Sequence, residues 1–348
     1  MTRTVWAWVR MLGGIGILAM LLWRLGTGAF LDGLRVIDGG TLLAAFGIGV
    51  ATTVFSAWRW CLVARGLGMR LSLKSAVADY YKALFLNAAL PGGVLGDVDR
   101  AVRHGKDEGD VGRGVRAVVL ERTAGQIVLI SVGLVVLLTV PSPVLSHLHG
   151  NAGVVGLGAA VAAGVGALLF LVCARLRRGT SKWASAARTG VAEIREGLLA
   201  RRNWPGIVLA STVVLGGHLA TFVVAARAAG SSASLLRLAP LMLLALLAMT
   251  LPVNIGGWGP REGVTAWAFG AAGLSATQGL TIAVVYGLFA FVAALPGLVV
   301  LITRAVAKSR AARPVVVVPA AGPGLGPVLG PALAPAAAPV RVLATSGV

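Results

Sequence analysis

Residues 87–100 read NAALPGGVLGDVDR, and residues 251–262 read LPVNIGGWGPRE. Each stretch interrupts a long apolar segment with proline, glycine and charge, which the interior of a membrane rarely accommodates. The two stretches and the residues that follow them share one pattern, because five identical residues recur at an offset of 161 positions. The pairs are Leu90 and Leu251, Pro91 and Pro252, Gly96 and Gly257, Arg100 and Arg261, and Gly112 and Gly273. Paired interruptions of this kind are typical of transporters built from a duplicated unit.

The composition is that of an integral membrane protein. Hydrophobic residues make up 57% of the 348 residues and charged residues only 12%, with a mean hydropathy of +0.87. Soluble domains carry about 25% charged residues. We predict an all-α polytopic protein, because the apolar runs are each long enough to cross about 30 Å of hydrocarbon as a helix. The predicted spans are 5–23, 41–64, 117–140, 152–174, 205–228 and 276–303.

The net charge of +19 does not indicate a nucleic-acid partner. The basic residues cluster beside apolar segments, as in cytoplasmic loops of membrane proteins, where they attract anionic lipid headgroups. The two cysteines and four histidines are scattered and show no metal-ligand spacing, and no nucleotide or hydrolase motif occurs. We therefore expect membrane lipids as partners, no cofactor and no enzymatic activity.

The charges of the loops predict the topology. Segment 175–202 holds eight basic residues and two glutamates and is expected to be cytoplasmic, whereas loop 141–150 has no charged residue and is expected outside. Both termini are then cytoplasmic, in the cell membrane. Helix 41–64 runs inward and helix 205–228 runs outward, so the two copies form an inverted-topology repeat.

The two apolar stretches that end at the Leu-Pro motifs, 75–90 and 234–251, begin and end on one side in this topology. We interpret them as re-entrant, which gives about six spanning helices plus two broken ones. Full crossings, with seven or eight spans, are the alternative. The predicted parts are a first helix with outer loop (1–40), repeat 1 (41–140), a linking helix with a basic amphipathic loop (141–204), repeat 2 (205–303) and a disordered tail (304–348).

The two motifs are also the predicted binding site. Proline and glycine unwind the backbone, and the N-terminus of each restarting helix favours an anion. Arg100 and Arg261 offer guanidinium forks suited to phosphate, while Asp97 and Glu262 could orient them, couple to protons or contact an amine. Glu121 and Arg122 are either an interfacial pair or part of the same cavity. The predicted lipid-binding residues are Asn87, Pro91, Gly92, Gly93, Gly96, Asp97, Arg100, Glu121, Arg122, Pro252, Asn254, Gly256, Gly257, Gly259, Arg261 and Glu262.

These blocks, together with Gly125 after Glu121-Arg122, resemble the flippase-like membrane domain of lysylphosphatidylglycerol synthases. The resemblance extends from about residue 41 to 303. It implies translocation of a lipid between leaflets, and the inverted repeats favour alternating access. It does not imply aminoacyl transfer, because the stretch after the last predicted helix is too short for the cytosolic transferase domain.

We therefore expect translocation of an anionic or zwitterionic phospholipid, or of a polyprenyl-linked lipid, across the cytoplasmic membrane. The alternative is a membrane subunit that does not transport and presents lipid to a separately encoded transferase.

Overall fold

The computed structural model describes residues 28–90, 93–142, 192–193, 195–198, 200–250 and 258–311. Ten principal helices and no strand are found in these ranges. They are α1 (Gly28–Arg35), α2 (Gly39–Gly66), α3 (Leu73–Ala89), α4 (Leu95–Asp107), α5 (Val111–Thr139), α6 (Trp204–Ala228), α7 (Leu235–Ala248), α8 (Pro260–Ala271), α9 (Ala276–Ala294) and α10 (Pro296–Ala311). All but the last turn of α10 belongs to one compact unit that ends at Ala307.

Four helical segments are long and apolar enough to span a membrane: Gly39–Gly66, Val111–Thr139, Trp204–Ala228 and Ala276–Ala307. They correspond to four of the predicted spans, and the prediction of an all-α polytopic membrane protein is confirmed. The other two, 5–23 and 152–174, lie outside the described residues.

Four helices, α2 to α5, recur in the same order as α6 to α9. The same local structures separate them in both copies. Gly68 and Gly230 adopt φ of 74° and 73° after α2 and α6, and Gly109 and Gly273 adopt 73° and 70° after α4 and α8. The hydroxyls of Ser72 and Ser234 then cap α3 and α7. The structural counterpart of Gly273 is therefore Gly109. The fixed offset of 161 had predicted Gly112 instead.

The two copies have opposite orientation. A Cβ at Gly206 of α6 would meet Leu62 of α2, and a Cβ at Gly217 would meet Thr52. As residue numbers rise along α6, those of its contacts on α2 fall, so the helices are antiparallel. Because α2 and α6 are the equivalent first helices of the two copies, this contact confirms an inverted-topology repeat.

Each broken segment is a helical hairpin. Gly96 of α4 packs directly against the backbone of Ala83 in α3, so the chain reverses at the first break. In the second copy, Arg237 at the start of α7 donates to the carbonyl of Ala272 after α8 at 2.8 Å. The four hairpin helices have 17, 13, 14 and 12 residues, and the longest extends only about 26 Å. This geometry favours re-entrant hairpins over full crossings.

Candidate functional site

Glu121 of α5 is the centre of a buried polar network. Its side chain is fully buried, ten residues into the apolar span. It accepts hydrogen bonds from Arg59 Nε of α2 at 2.9 Å, from Arg100 Nη2 of α4 at 2.7 Å and from the Tyr80 hydroxyl of α3 at 3.2 Å. One carboxylate thus joins all four helices of the first repeat. Glu121 is therefore part of the protein interior, whereas the side chain of the neighbouring Arg122 is partly exposed.

Asp97 is the second carboxylate of the network. It accepts from Arg100 Nε at 2.9 Å, and Arg122 Nη2 lies 2.8 Å from both of its oxygens. Asn87 of α3 donates to it at 3.0 Å and accepts the Gly96 N–H at 2.7 Å, so Asn87 joins the two sides of the hairpin break.

The pKa of Asp97 is lowered. Burial by itself raises it, but the adjacent Arg122 and Arg100 guanidiniums outweigh that effect. Proton coupling through Asp97 stays a prediction.

Arg100 and Arg261 are sealed in the interior. Arg100 is 1% exposed and lies between the rings of Trp60 and Tyr80, with centroid distances of 4.7 and 4.5 Å. Arg261 is 2% exposed, is paired with Glu262 and lies 5.2 Å from the ring centroids of both Trp258 and Tyr286. Direct contact of these two arginines with phosphate is therefore a prediction that the geometry does not support, because protein groups enclose both.

The two arginines are not equivalent positions of the repeat. Asp97 and Glu262 are each the third residue of their helices, which begin at Leu95 and Pro260. The acids therefore correspond at an offset of 165, and Arg100 corresponds to Thr265. The offset is 162 at the caps Ser72 and Ser234 and 165 after the breaks, because the longer connection between α7 and α8 outweighs the shorter α7 by three residues.

A cavity of about 230 Å³ lies between the two repeats. Its wall combines basic, neutral polar and apolar side chains. The lining residues are Arg59, Arg122, Gly125, Gln126, Leu129, Ser211, Val214, Leu215, His218, Leu246, Met249, Thr250 and Tyr286. They come from spanning helices α2, α5, α6 and α9 and from the end of hairpin helix α7. The volume is below the 300–1,000 Å³ typical of sites for drug-sized ligands, so it suits a small headgroup and not a whole lipid.

The guanidiniums of Arg59 and Arg122 reach this cavity in different ways. The Arg122 side chain is 42% exposed, and a salt bridge of 2.8 Å to Asp97 holds its guanidinium in place. Arg59 is almost fully buried and donates to the Ser211 hydroxyl at 3.1 Å. A Cβ at Gly125 would come within 2.9 Å of Arg59 Nη1, so glycine makes room for this guanidinium.

The opposite wall connects the cavity to the second polar cluster. The Tyr286 hydroxyl lies 2.9 Å from His218 Nδ1, and the ring of Tyr286 is one of the two that flank Arg261. Glu262 accepts the Gly259 N–H at 2.7 Å, and Gly259 has a φ of 112° that favours glycine. Arg261 and Glu262 therefore support the cavity through Tyr286 without lining it.

The predicted site residues have three outcomes. Asn87, Gly96, Asp97, Arg100, Glu121 and Arg122 form one network, and Gly259, Arg261 and Glu262 form the second cluster. Gly93 lies at the first break with a φ of 61°. Pro91, Gly92, Pro252, Asn254, Gly256 and Gly257 lie outside the described residues.

Sequence reasoning missed most of the cavity wall. Gln126, Ser211, His218 and Tyr286 line the cavity and were not among the predicted residues. One signal was present: Arg122 and Gln126 are four residues apart, and Ser211 and His218 are seven apart, so each pair occupies one helix face. Polar residues repeated on one face of an apolar helix indicate a polar interior.

The comparison with known families fits this architecture. Residues 8–297 match the family described as the lysylphosphatidylglycerol synthase TM region. Among the curated proteins and among the solved structures, nothing matches the chain. The match covers both repeats, the hairpins and every residue of the cavity wall. The chain is thus a multi-pass membrane protein that belongs to the lysylphosphatidylglycerol synthase TM region family.

Proposed function

We propose that this protein translocates a lipid with a phosphate-containing headgroup across the cytoplasmic membrane. The lipid classes are anionic or zwitterionic phospholipids and polyprenyl-linked lipids. One observation supports this most strongly: the cavity between the repeats presents the guanidiniums of Arg59 and Arg122 from within membrane-spanning helices. Charged side chains at this depth are costly and are typical of substrate pathways.

The phosphate would bind at Arg122, whose guanidinium is accessible and already oriented by Asp97. A planar guanidinium can donate two parallel hydrogen bonds to phosphate oxygens. The acyl or prenyl chains would remain in the hydrocarbon outside this small cavity. No covalent chemistry is needed, in keeping with the expectation that the protein is not an enzyme.

Alternating access follows from the inverted repeats. Rocking of one repeat against the other would open the interface first to one leaflet and then to the other around a fixed binding site. The antiparallel pair α2 and α6 lies at this interface, and both helices contribute to the cavity wall. The termini are expected on the cytoplasmic side.

The test is lipid scrambling by the purified full chain in proteoliposomes. The probes are fluorescent phosphatidylglycerol, its lysyl ester and a polyprenyl phosphate. We expect Arg122→Gln to slow protein-dependent flipping about tenfold or more, since one charged hydrogen-bonding partner contributes about that factor. Arg113→Gln is the matched control on the same helix, because Arg113 is 43% exposed and pairs with Asp110 at 3.4 Å. It should flip lipid within about twofold of wild type.

Flipping by Arg122→Gln at the wild-type rate would contradict the proposal. Absence of flipping by folded wild-type protein would also reject it. Lipid binding without flipping would instead favour the subunit that presents lipid to a separately encoded transferase.

A further inference from the structure

The buried network of the first repeat carries an excess of positive charge. Three guanidiniums, those of Arg59, Arg100 and Arg122, face two carboxylates, those of Asp97 and Glu121. Arg122 is the most exposed of the three and opens onto the cavity, so an anion supplied by a ligand balances the network there. The network therefore favours a ligand with one negative charge.

No described carboxylate faces the cavity. The chain has only 12 acidic residues, and all except Asp32 have side chains that the structure describes. Both oxygens of Asp97 and both oxygens of Glu121 already accept from arginine. The cavity wall thus offers two guanidiniums to an anion and no counter-ion to an ammonium group.

Gln126 adds a second requirement. Its Oε1 is buried at the cavity wall and has no hydrogen-bond partner. A buried acceptor of this kind costs about 1–3 kcal/mol until a donor reaches it. A ligand hydroxyl satisfies the amide in either of its two orientations, because a hydroxyl both donates and accepts. Ser211 and His218 provide further neutral polar groups on the same wall.

From these three observations we infer that the cavity selects an anionic phosphodiester lipid whose headgroup carries a neutral hydroxyl, such as phosphatidylglycerol. It discriminates against headgroups with a cationic amine, including aminoacylated phosphatidylglycerol. The inference rests on the proposed function in placing a lipid headgroup in this cavity, and it specifies the substrate class.

The experiment measures binding of short-chain lipids to the full chain in detergent by thermophoresis. Phosphatidylglycerol is compared with its lysyl ester, which adds positive charge, and with phosphatidylmethanol, which keeps the phosphodiester and lacks the hydroxyls. We expect wild type to bind phosphatidylglycerol about tenfold or more tightly than the lysyl ester and about fivefold more tightly than phosphatidylmethanol.

Two variants of one residue sharpen the test. Gln126→Leu should abolish the preference over phosphatidylmethanol and leave the affinity for phosphatidylmethanol unchanged. Gln126→Glu places a carboxylate on the wall and should shift the ratio of affinities at least about tenfold towards the lysyl ester. Each ratio is measured within one protein, so a partial loss of folded material does not alter it.

Equal or tighter binding of the lysyl ester by wild type would overturn the inference. Equally tight binding of free glycerol phosphate would overturn the assignment to a lipid. Selective binding without flipping in proteoliposomes would reject the proposed function and leave the selectivity standing. Flipping of the lysyl ester as fast as phosphatidylglycerol would support the proposed function and reject the selectivity.

Discussion

At the scale of single residues, sequence reasoning identified the charges and misjudged their accessibility. Arg100 and Arg261 were expected to meet the ligand, yet aromatic rings and carboxylates enclose both. Arg122, which was predicted as a lipid-binding residue without a specified contact, is the more exposed of the two guanidiniums that line the cavity. The sequence shows which residues are charged. Exposure depends on the packing of helices that are distant in the chain.

Replacement of Glu121 tests whether the network holds the first repeat together. Glu121→Gln leaves the buried Arg59 and Arg100 guanidiniums without their shared carboxylate. We expect the free energy of unfolding to fall by about 3–5 kcal/mol, the typical cost of breaking a buried ion pair. Tyr80→Phe is the control, because it removes one hydrogen bond to the same carboxylate and should cost about 1 kcal/mol.

The measurement is thermal unfolding of both variants in detergent, followed by intrinsic fluorescence. Equal stability of Glu121→Gln and Tyr80→Phe would show that the ion pairs contribute little to folding.

At the scale of helices, most of the architecture was predictable. Hydropathy placed the four described spans, and proline with glycine marked the breaks that separate α3 from α4 and α7 from α8. The register of the repeat was not predictable from identities at one offset, because the structural offset changes by three residues across the second break. Identities such as Arg100 and Arg261 were therefore a guide to duplication and a poor guide to equivalent positions.

Closure of the first hairpin depends on Gly96. A Cβ at this residue would overlap the carbonyl of Ala83 on the facing helix. We expect Gly96→Ala to destabilise the protein by about 1–3 kcal/mol, because backbone must shift to make room. Gly216→Ala on α6 is the control, since a Cβ there meets nothing within 4 Å. It should stabilise its helix by about 0.5–1 kcal/mol.

Thermal unfolding of the two glycine variants in detergent gives the comparison. Similar stabilities would mean that α3 and α4 do not pack as tightly as described.

At the scale of the whole molecule, charge distribution predicted the inverted repeat before any contact was known. The basic segment 175–202 and the uncharged loop 141–150 were sufficient to assign opposite directions to the first helices of the two copies. What they could not provide is the interface. The cavity is formed by residues up to 227 positions apart, such as Arg59 and Tyr286, and such proximity is a property of the folded chain alone.

A disulfide tests the antiparallel pair α2 and α6. A Cβ at Gly217 would lie 3.7 Å from Thr52 Cβ, close to the mean of about 3.8 Å in disulfides. In a variant without Cys61 and Cys173, we expect Thr52→Cys with Gly217→Cys to cross-link on oxidation. Thr52→Cys with Gly206→Cys should not, because Gly206 lies about 16 Å further along α6.

Cross-linking is detected after cleavage at a protease site placed in segment 175–202. The halves should remain joined on a non-reducing gel only for the first pair. Cross-linking of the second pair instead would indicate parallel helices and exclude an inverted repeat.

The eleventh residue of α5 is Glu121, and the eleventh residue of α9 is Tyr286. At this equivalent position, the first repeat has a carboxylate that accepts hydrogen bonds from three side chains, whereas the second repeat has a tyrosine ring. A carrier with identical halves would have inward-facing and outward-facing forms of equal energy. Here the halves are chemically unlike, so under the proposed alternating access the two forms would differ in energy and one would be the ground state. The sequence divergence of a duplicated framework would thereby set a resting orientation before any gradient acts on the protein.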